Sequence, residues 1–209
     1  MTMLTQLYKT LFGKSYQEVW RQFARANNGA FICAKDCNND SVEILYQDFK
    51  ITFDTYTHLI VVRSKSSEFE YTRVRVELLL PDNLNLKLFR QGFIESIGKL
   101  FGMQDITIGD KEFDKVFIVK GNNDSKIQQL FSNTTILNLI LSQKDIRLEI
   151  LDTIGFFDEK IQDGISVLYL VSEDKIKTIE QLNSLYRLYA ELLNQLTKLS
   201  SAKPGSLSN

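Results

Sequence analysis

The sequence predicts an α+β domain: a mainly antiparallel sheet with helices gathered on one face and a long C-terminal helix packed across it. Three observations predict this class. Between Phe31 and Arg90 the apolar residues recur with period two. "VFIV" from Val116 and "VLYLV" from Val167 are unbroken apolar runs, as buried strands show. After Thr178 the leucines recur at spacings of three and four.

The elements follow in chain order. Leu4, Leu7, Tyr8 and Leu11 share one helical face, and Gly13 is placed to end that helix. A second helix starts at a capping box of Ser15 and Glu18, carries Tyr16, Val19, Trp20 and Phe23 on one side, and stops by Gly29. In the strand region Phe49, Ile51 and Phe53 alternate with Lys50, Thr52 and Asp54, and Val74, Val76 and Leu78 alternate with Arg73, Arg75 and Glu77. Strands with one wet face belong to antiparallel hairpins, and "CNND", "SKSS" and "PDN" supply turns between them.

"FIESIGKLFG" returns to helical spacing. "VFIV" and "VLYLV" are expected as central strands, with a helical pair over residues 125–142 and a half-wet strand "IRLEIL" between them. Thr178 and Gln181 form the capping box of the last helix. Its face of Leu182, Leu185, Tyr189, Leu192, Leu196 and Leu199 is widened by Tyr186, Leu188 and Leu193. So broad a face suits a helix laid across a curved sheet, in a helix-grip manner, better than a two-strand coiled coil. Residues 1–200 are expected as one domain, with two lobes meeting near 91–104 as a variant, and 201–209 as a disordered polar tail.

Composition narrows the function classes. With 44% apolar and 24% charged residues the chain can bury a core without disulfides or metal. A formal net charge of -1 offers no global field for nucleic acid or an anionic membrane, and no apolar run has the length of a membrane span. Cys33 and Cys37, if extended, stand roughly 13 Å apart, beyond disulfide reach. With no secretory pattern at the N-terminus, reduced thiols and a cytoplasmic location are the expectation.

Several motifs invite chemistry. Gly98 and Lys99 suggest a phosphate loop, but the preceding glycine is Gly92, the spacing is wrong, and Leu100 stands where Ser or Thr would hold magnesium. Asp105, Asp110, Glu112 and Asp114 form an acidic cluster of the kind hard cations use. A strand-like "ITI" separates the first from the others, so a solvated turn is the expectation. His58 is the single histidine, and no serine or cysteine stands in a nucleophile elbow beside it. With Cys33 and Cys37 it makes at most three zinc ligands. Tyr71, Arg73 and Arg75 share a strand face with Lys50 near, a combination that can stack nucleic acid; Glu43, Asp54 and Glu77 on similar faces point instead to cross-strand charge pairing.

The segment "GKLFGMQDITIGDKEFDKVFIVKGNND" resembles an uncharacterised bacterial protein family that shares Gly-Lys-x-x-Gly-Met-Gln-Asp followed by Gly-x-x-x-Phe-Asp-x-x-Phe-Ile-x-Lys-Gly-Asn. The matching positions are Gly98, Lys99, Gly102, Met103, Gln104, Asp105, Gly109, Phe113, Asp114, Phe117, Ile118, Lys120, Gly121 and Asn122. The resemblance extends to "YTRVRV", "LFSN" and the leucine-rich helix, with more variation expected near "GFFDEKIQDGISVLYL". It implies no activity. Its glycines and phenylalanines fit a corner between helix and sheet.

The expected function is therefore a non-catalytic cytoplasmic binding or interaction module, without cofactor, engaging an unknown protein or small-molecule partner as a monomer or weak homodimer, and not nucleic acid. One alternative is a metal-dependent hydrolase or transferase using the carboxylates of 105–114. Another is a binder of a small apolar ligand beneath the C-terminal helix.

Overall fold

The structure, a computed structural model, describes residues 15–33, 40–62, 65–91, 104–152, 161–173 and 175–205, with backbone alone at 58–62 and 65–68. The expected helix over Leu4 to Leu11, Cys37, the "FIESIGKLFG" helix with its Gly98-Lys99 pair, and residues 92–103 of the lobe junction lie outside these residues.

In chain order the elements are helix Tyr16–Ala26 (α1), strands Ala30–Ile32 (β1), Ser41–Tyr46 (β2), Phe49–Val62 (β3), Lys65–Leu79 (β4), Leu86–Arg90 (β5) and Gln104–Asp105 (β6), helix Lys111–Val116 (α2), strand Phe117–Gly121 (β7), helices Asp124–Phe131 (α3) and Thr134–Leu141 (α4), strands Ile146–Leu151 (β8) and Ser166–Ser172 (β9), helix Ile179–Ser200 (α5) and strand Lys203–Pro204 (β10). The strands form one sheet in the order β1-β2-β3-β4-β9-β8-β5-β7-β6, with β10 pairing β4 off that path. Every pairing is antiparallel. The fold class is the one the periodicities predict.

Period-two alternation sets the two faces. Val42, Phe53, Val74, Leu170, Leu148, Leu88 and Val119 stand opposite one another across seven strands and are all buried. All the described helices cover this inner face. Phe23 of α1 meets Phe53 edge-on at 4.9 Å. Phe113 of α2 packs on Phe117 and on Phe131 of α3, and α4 is tied to α5 where Gln143 Nε2 donates to Ser184 Oγ at 2.8 Å.

Helix α5 begins as its capping box predicts, with Thr178 Oγ1 accepting from the Gln181 amide. Leu182, Leu185, Leu188, Tyr189, Leu192, Leu193 and Leu196 are fully enclosed against the sheet, so the C-terminal leucines seal the interior. At the crossing the Tyr189 hydroxyl donates to the Val74 carbonyl on β4 at 2.6 Å, with the Leu168 carbonyl of β9 at 3.4 Å. Helix α1 starts at Ser15, whose side chain accepts from the Glu18 amide, and is fastened to the strand β9 to α5 connection by Trp20 Nε1 donating to the Ile176 carbonyl.

Four expectations need correction. "VFIV" is not a central strand: Val116 ends α2, and β7 stands next to the two-residue end strand β6 with one wet face, Ile118 and Lys120 being only half-buried. "IRLEIL" is not half-wet, because β8 lies between β9 and β5 and its Glu149 and Leu151 are buried with Ile146, Leu148 and Ile150, leaving Arg147 alone half-buried. The "SKSS" turn is shorter than expected, since β4 already runs from Lys65. The tail is not disordered from 201: Ser201 takes a left-handed conformation, Ala202 is buried, Lys203–Pro204 pair with Leu78 and Leu79, and the Gly205 amide donates to the Glu77 carbonyl. Residues 206–209 lie outside the described residues.

Candidate functional site

The acidic cluster of the metal expectation is spread over a strand, a turn and a helix start. Asp110 is the N-cap of α2, its Oδ1 accepting from the Glu112 and Phe113 amides at 3.0 and 2.9 Å. Asp114 accepts from the Ile108 and Gly109 amides, both at 2.9 Å, and so closes the turn in which Gly109 takes φ 96°. Asp105 pairs with Lys120 across β6 and β7 at 2.5 Å. Glu112 points to solvent in the first turn of α2. Each of the first three carboxylates is committed to backbone amides or to a lysine, and the four do not converge. Among the described residues no group of three or more His, Cys, Asp or Glu side chains is disposed to hold a metal ion.

The described residues of the segment after Asp114 are equally structural. Asn122 accepts from the Asn85 amide and donates to the Asn83 carbonyl, zipping the turn before β5 to the turn after β7. Asn123 caps α3 through the Lys126 amide. Gly121 has no room for a side chain, since a Cβ would meet Ile127 and lie 2.9 Å from the Asn85 carbonyl. Gly98, Lys99, Gly102 and Met103 lie outside the described residues. His58 lies in β3 opposite Phe69, and its side chain is also outside them; Cys33 is exposed just after β1.

The outer face of the sheet is where side-chain chemistry gathers. Two adjacent cross-strand rows run over it. One holds Ser41, Asp54, Arg73, Val171, Arg147, Phe89 and Ile118; the other Glu43, Thr52, Arg75, Tyr169, Glu149, Lys87, Lys120 and Asp105. The centre of this face is buried although no described helix lies on it: Asp54, Arg73, Tyr169, Val171, Glu149 and Phe89 are each less than 9% exposed.

Asp54 holds that centre together. Its Oδ1 accepts from Arg73 Nε and its Oδ2 from Arg75 Nη2, both at 2.6 Å. The Arg73 guanidinium also lies over the Tyr56 ring, 4.7 Å from its centroid. Cross-strand pairing therefore engages the two arginines, as the neighbouring acids suggested, and Lys50 pairs with Glu43 at 3.5 Å. Both guanidinium groups bond a carboxylate instead of fronting an open basic stripe of the kind that tracks a phosphate backbone.

Beside this network lies a small, shallow hollow open to solvent. Phe89 and Val171 line its apolar side, with Ile146 of the strand beneath, and Tyr71, Arg147, Asp145 and Glu173 complete the lining. Burial, then the nearby Glu173 charge, raises the Tyr71 phenol above its ordinary value, with Arg147 opposing. Tyr71 is thus a neutral hydrogen-bonding group at neutral pH. Arg147 is lowered by burial against the attraction of Glu149, Glu173 and Tyr71. Glu149, behind it with Oε1 4.0 Å from Arg147 Nε, is raised by burial, which outweighs Lys87 and Arg147. The side chains around the hollow form no nucleophile and base pair; they make a small polar-rimmed, apolar-floored recess.

The described large hydrophobic side chains that remain exposed share this face. Ile32, Leu45, Phe69 and Leu79 are 40–63% exposed, and register puts all four on the outer side with Ser41, Glu43, Tyr71 and Glu77. Sequence reasoning identified Tyr71, Arg73, Arg75 and Asp54 but missed Arg147, Glu149, Glu173, Asp145 and Phe89. The one available signal was the charge alternation of "IRLEIL" in a strand that is otherwise apolar.

No protein-family model and no curated protein matches the chain. Among solved structures, the crystal structure of the mycobacterial trehalose monomycolate transport factor A, TtfA, is similar over 91% of this chain and 98% of that one, at 9% sequence identity and a TM-score of 0.44. Among the described residues no helix is long and apolar enough to cross a membrane.

Proposed function

We propose that the protein is a non-catalytic module that binds a partner protein through the outer face of its sheet, in the cytoplasm and as a monomer or weak homodimer. One observation carries the reading: the exposed large hydrophobics Ile32, Leu45, Phe69 and Leu79 all stand on the face that the described helices leave uncovered, the face that holds the buried charged centre. Interfaces combine apolar and aromatic contacts with polar groups that fix orientation. A folded centre in which Asp54 pins two arginines supplies a surface that needs little reordering on binding.

The test is a photo-activatable amino acid placed in turn at Leu45, at Leu79 and at Arg187, an exposed position on α5 away from the sheet, with cross-linking in the native cell. Discrete protein adducts from the first two positions and none from the third support the reading. Adducts from Arg187 alone, or from none of the three, overturn it.

A further inference from the structure

We propose that the edge of strand β3 over residues 57–62 pairs antiparallel with the same edge of a second copy of this chain, about a two-fold axis, so that two sheets join into one; this rests on the homodimer part of the reading above and leaves the outer face open for the partner.

At one end the sheet narrows to two strands. Strands β3 and β4 pair without a break from Thr52 opposite Arg75 to Val62 opposite Lys65. Their neighbours stop earlier, β2 leaving β3 at Asp54 and β9 leaving β4 at Thr72. One further bond, from the Thr55 amide to the Asp40 carbonyl, extends the β2 side. Over residues 57–62, among the described residues, β3 has β4 on one side and no strand on the other. A two-stranded ribbon is marginally stable in water by itself, and along its edge every second residue turns its amide and carbonyl away from the partner strand.

The residues of this edge point to its occupant. Sheets protect a bare edge with charge, proline, a bulge or brevity. Strand β4 carries Lys65, Glu68 and Glu70 on its side of the ribbon. Strand β3 carries Thr57, His58, Leu59, Ile60, Val61 and Val62, with no lysine, arginine, acid or proline, and its continuous register with β4 leaves no bulge. The unbroken apolar run over 59–62 is the pattern of an interior strand, like "VLYLV" in β9, which has β4 and β8 beside it. A second copy meets these terms. Antiparallel pairing of one strand with itself is self-complementary, laying one apolar run along the other with no like charges opposed. The same pairing between two β4 edges would bring the glutamates of both copies together. A two-fold axis through paired edges stands normal to the sheet, so the outer faces of the two copies, each with its exposed Phe69, become one continuous surface.

Sedimentation equilibrium of the full chain between about 5 and 500 µM should show the mass rising from one chain toward two. Over the same range, amide hydrogen exchange at residues 57–62 should divide into two sets. Amides that face β4 are protected at every concentration, and those that face away gain about fivefold protection only as the dimer forms. Ile60→Lys and Ile60→Glu should each weaken self-association about tenfold or more, and an equimolar mixture of the two should associate again. Ser67→Lys, opposite Ile60 on β4, should leave association unchanged. Circular dichroism identical to the parent separates these effects from misfolding. A chain that stays monomeric at the highest concentration, association that neither Ile60 variant weakens or that their mixture does not restore, or outward amides protected at every concentration, as cover by the chain's own residues would give, overturns the proposal. If the Leu45 and Leu79 cross-links persist in Ile60→Lys, the binding-face reading stands whatever becomes of the dimer; if they fail while the chain still self-associates, the dimer stands and that reading falls.

Discussion

Replacing Asp54 by alanine leaves Arg73 and Arg75 facing each other across the space their shared carboxylate occupied. Arg73 has 8% of its side chain exposed and Arg75 32%, so water can rehydrate the second guanidinium far better than the first. Removing one partner of a buried ion pair costs about 3–5 kcal/mol, most of it the burden of the charge left behind. At about 2–4 °C per kcal/mol for a chain of this size, the melting temperature should fall by about 6–20 °C. Urea and thermal unfolding followed by circular dichroism measure this directly. The second arm is Arg73→Met in the Asp54→Ala background, which removes the buried guanidinium as well and should restore part of the loss. A loss below about 1 kcal/mol for Asp54→Ala, or no recovery in the double variant, would refute the argument that Asp54 organises the outer face.

Other outcomes follow from the same structure. Burial lifts the Glu149 carboxyl, so it stays protonated to higher pH in the folded chain than in the unfolded one. Its cost is absent below about pH 4.5 and grows as pH rises through the raised folded value, so Glu149→Gln should gain stability over the parent at pH 7 and lose that advantage near pH 4, as urea titrations across pH would show. Gln47 and Asp48 both have positive φ, 47° and 70°, in the two-residue loop joining β2 to β3; Asp48→Gly should therefore stabilise by about 1 kcal/mol in chemical denaturation. Leu192→Ala, under the centre of α5, should cost about 2–5 kcal/mol in the same assay. Asp110→Ala should cost about 1 kcal/mol as a lost helix cap, by the same amount with and without millimolar magnesium; a thermal midpoint that magnesium raises in the parent and not in the variant would revive the metal reading.

Elements announced by local chemistry were legible. Ser15 with Glu18 and Thr178 with Gln181 mark the starts of α1 and α5 because a hydroxyl three residues before a free amide is a short-range contact. The alternation of Phe49 to Phe53 and of Val74 to Leu78 told inner from outer face before any pairing was known. What failed needed partners distant in sequence. "VFIV" looked like a central strand because its first valine belongs to the short helix α2, which has only Phe113 fully buried and so leaves no periodic trace. Glu149 looked wet because a charge in a strand usually is; the neighbours that enclose it, Tyr169 and Lys87, come from β9 and β5. The hollow was out of reach for the same reason, since Tyr71, Phe89, Arg147 and Glu173 come from four regions that only the strand order brings together.

The sheet has a seam. Strands β1 to β4 form one continuous meander, strands β8, β5, β7 and β6 another block, and the two meet through the pairing of β4 with β9, from Thr72 opposite Ser172 to Leu78 opposite Ser166. Tyr189 stands over that junction with its hydroxyl near a carbonyl on each side, which makes α5 a splint across a joint. Arg73 and Arg147 stand one on each side of the same joint, on the face opposite the helix. Any ligand gripping both halves from the outside would thereby also clamp the helix on the opposite side.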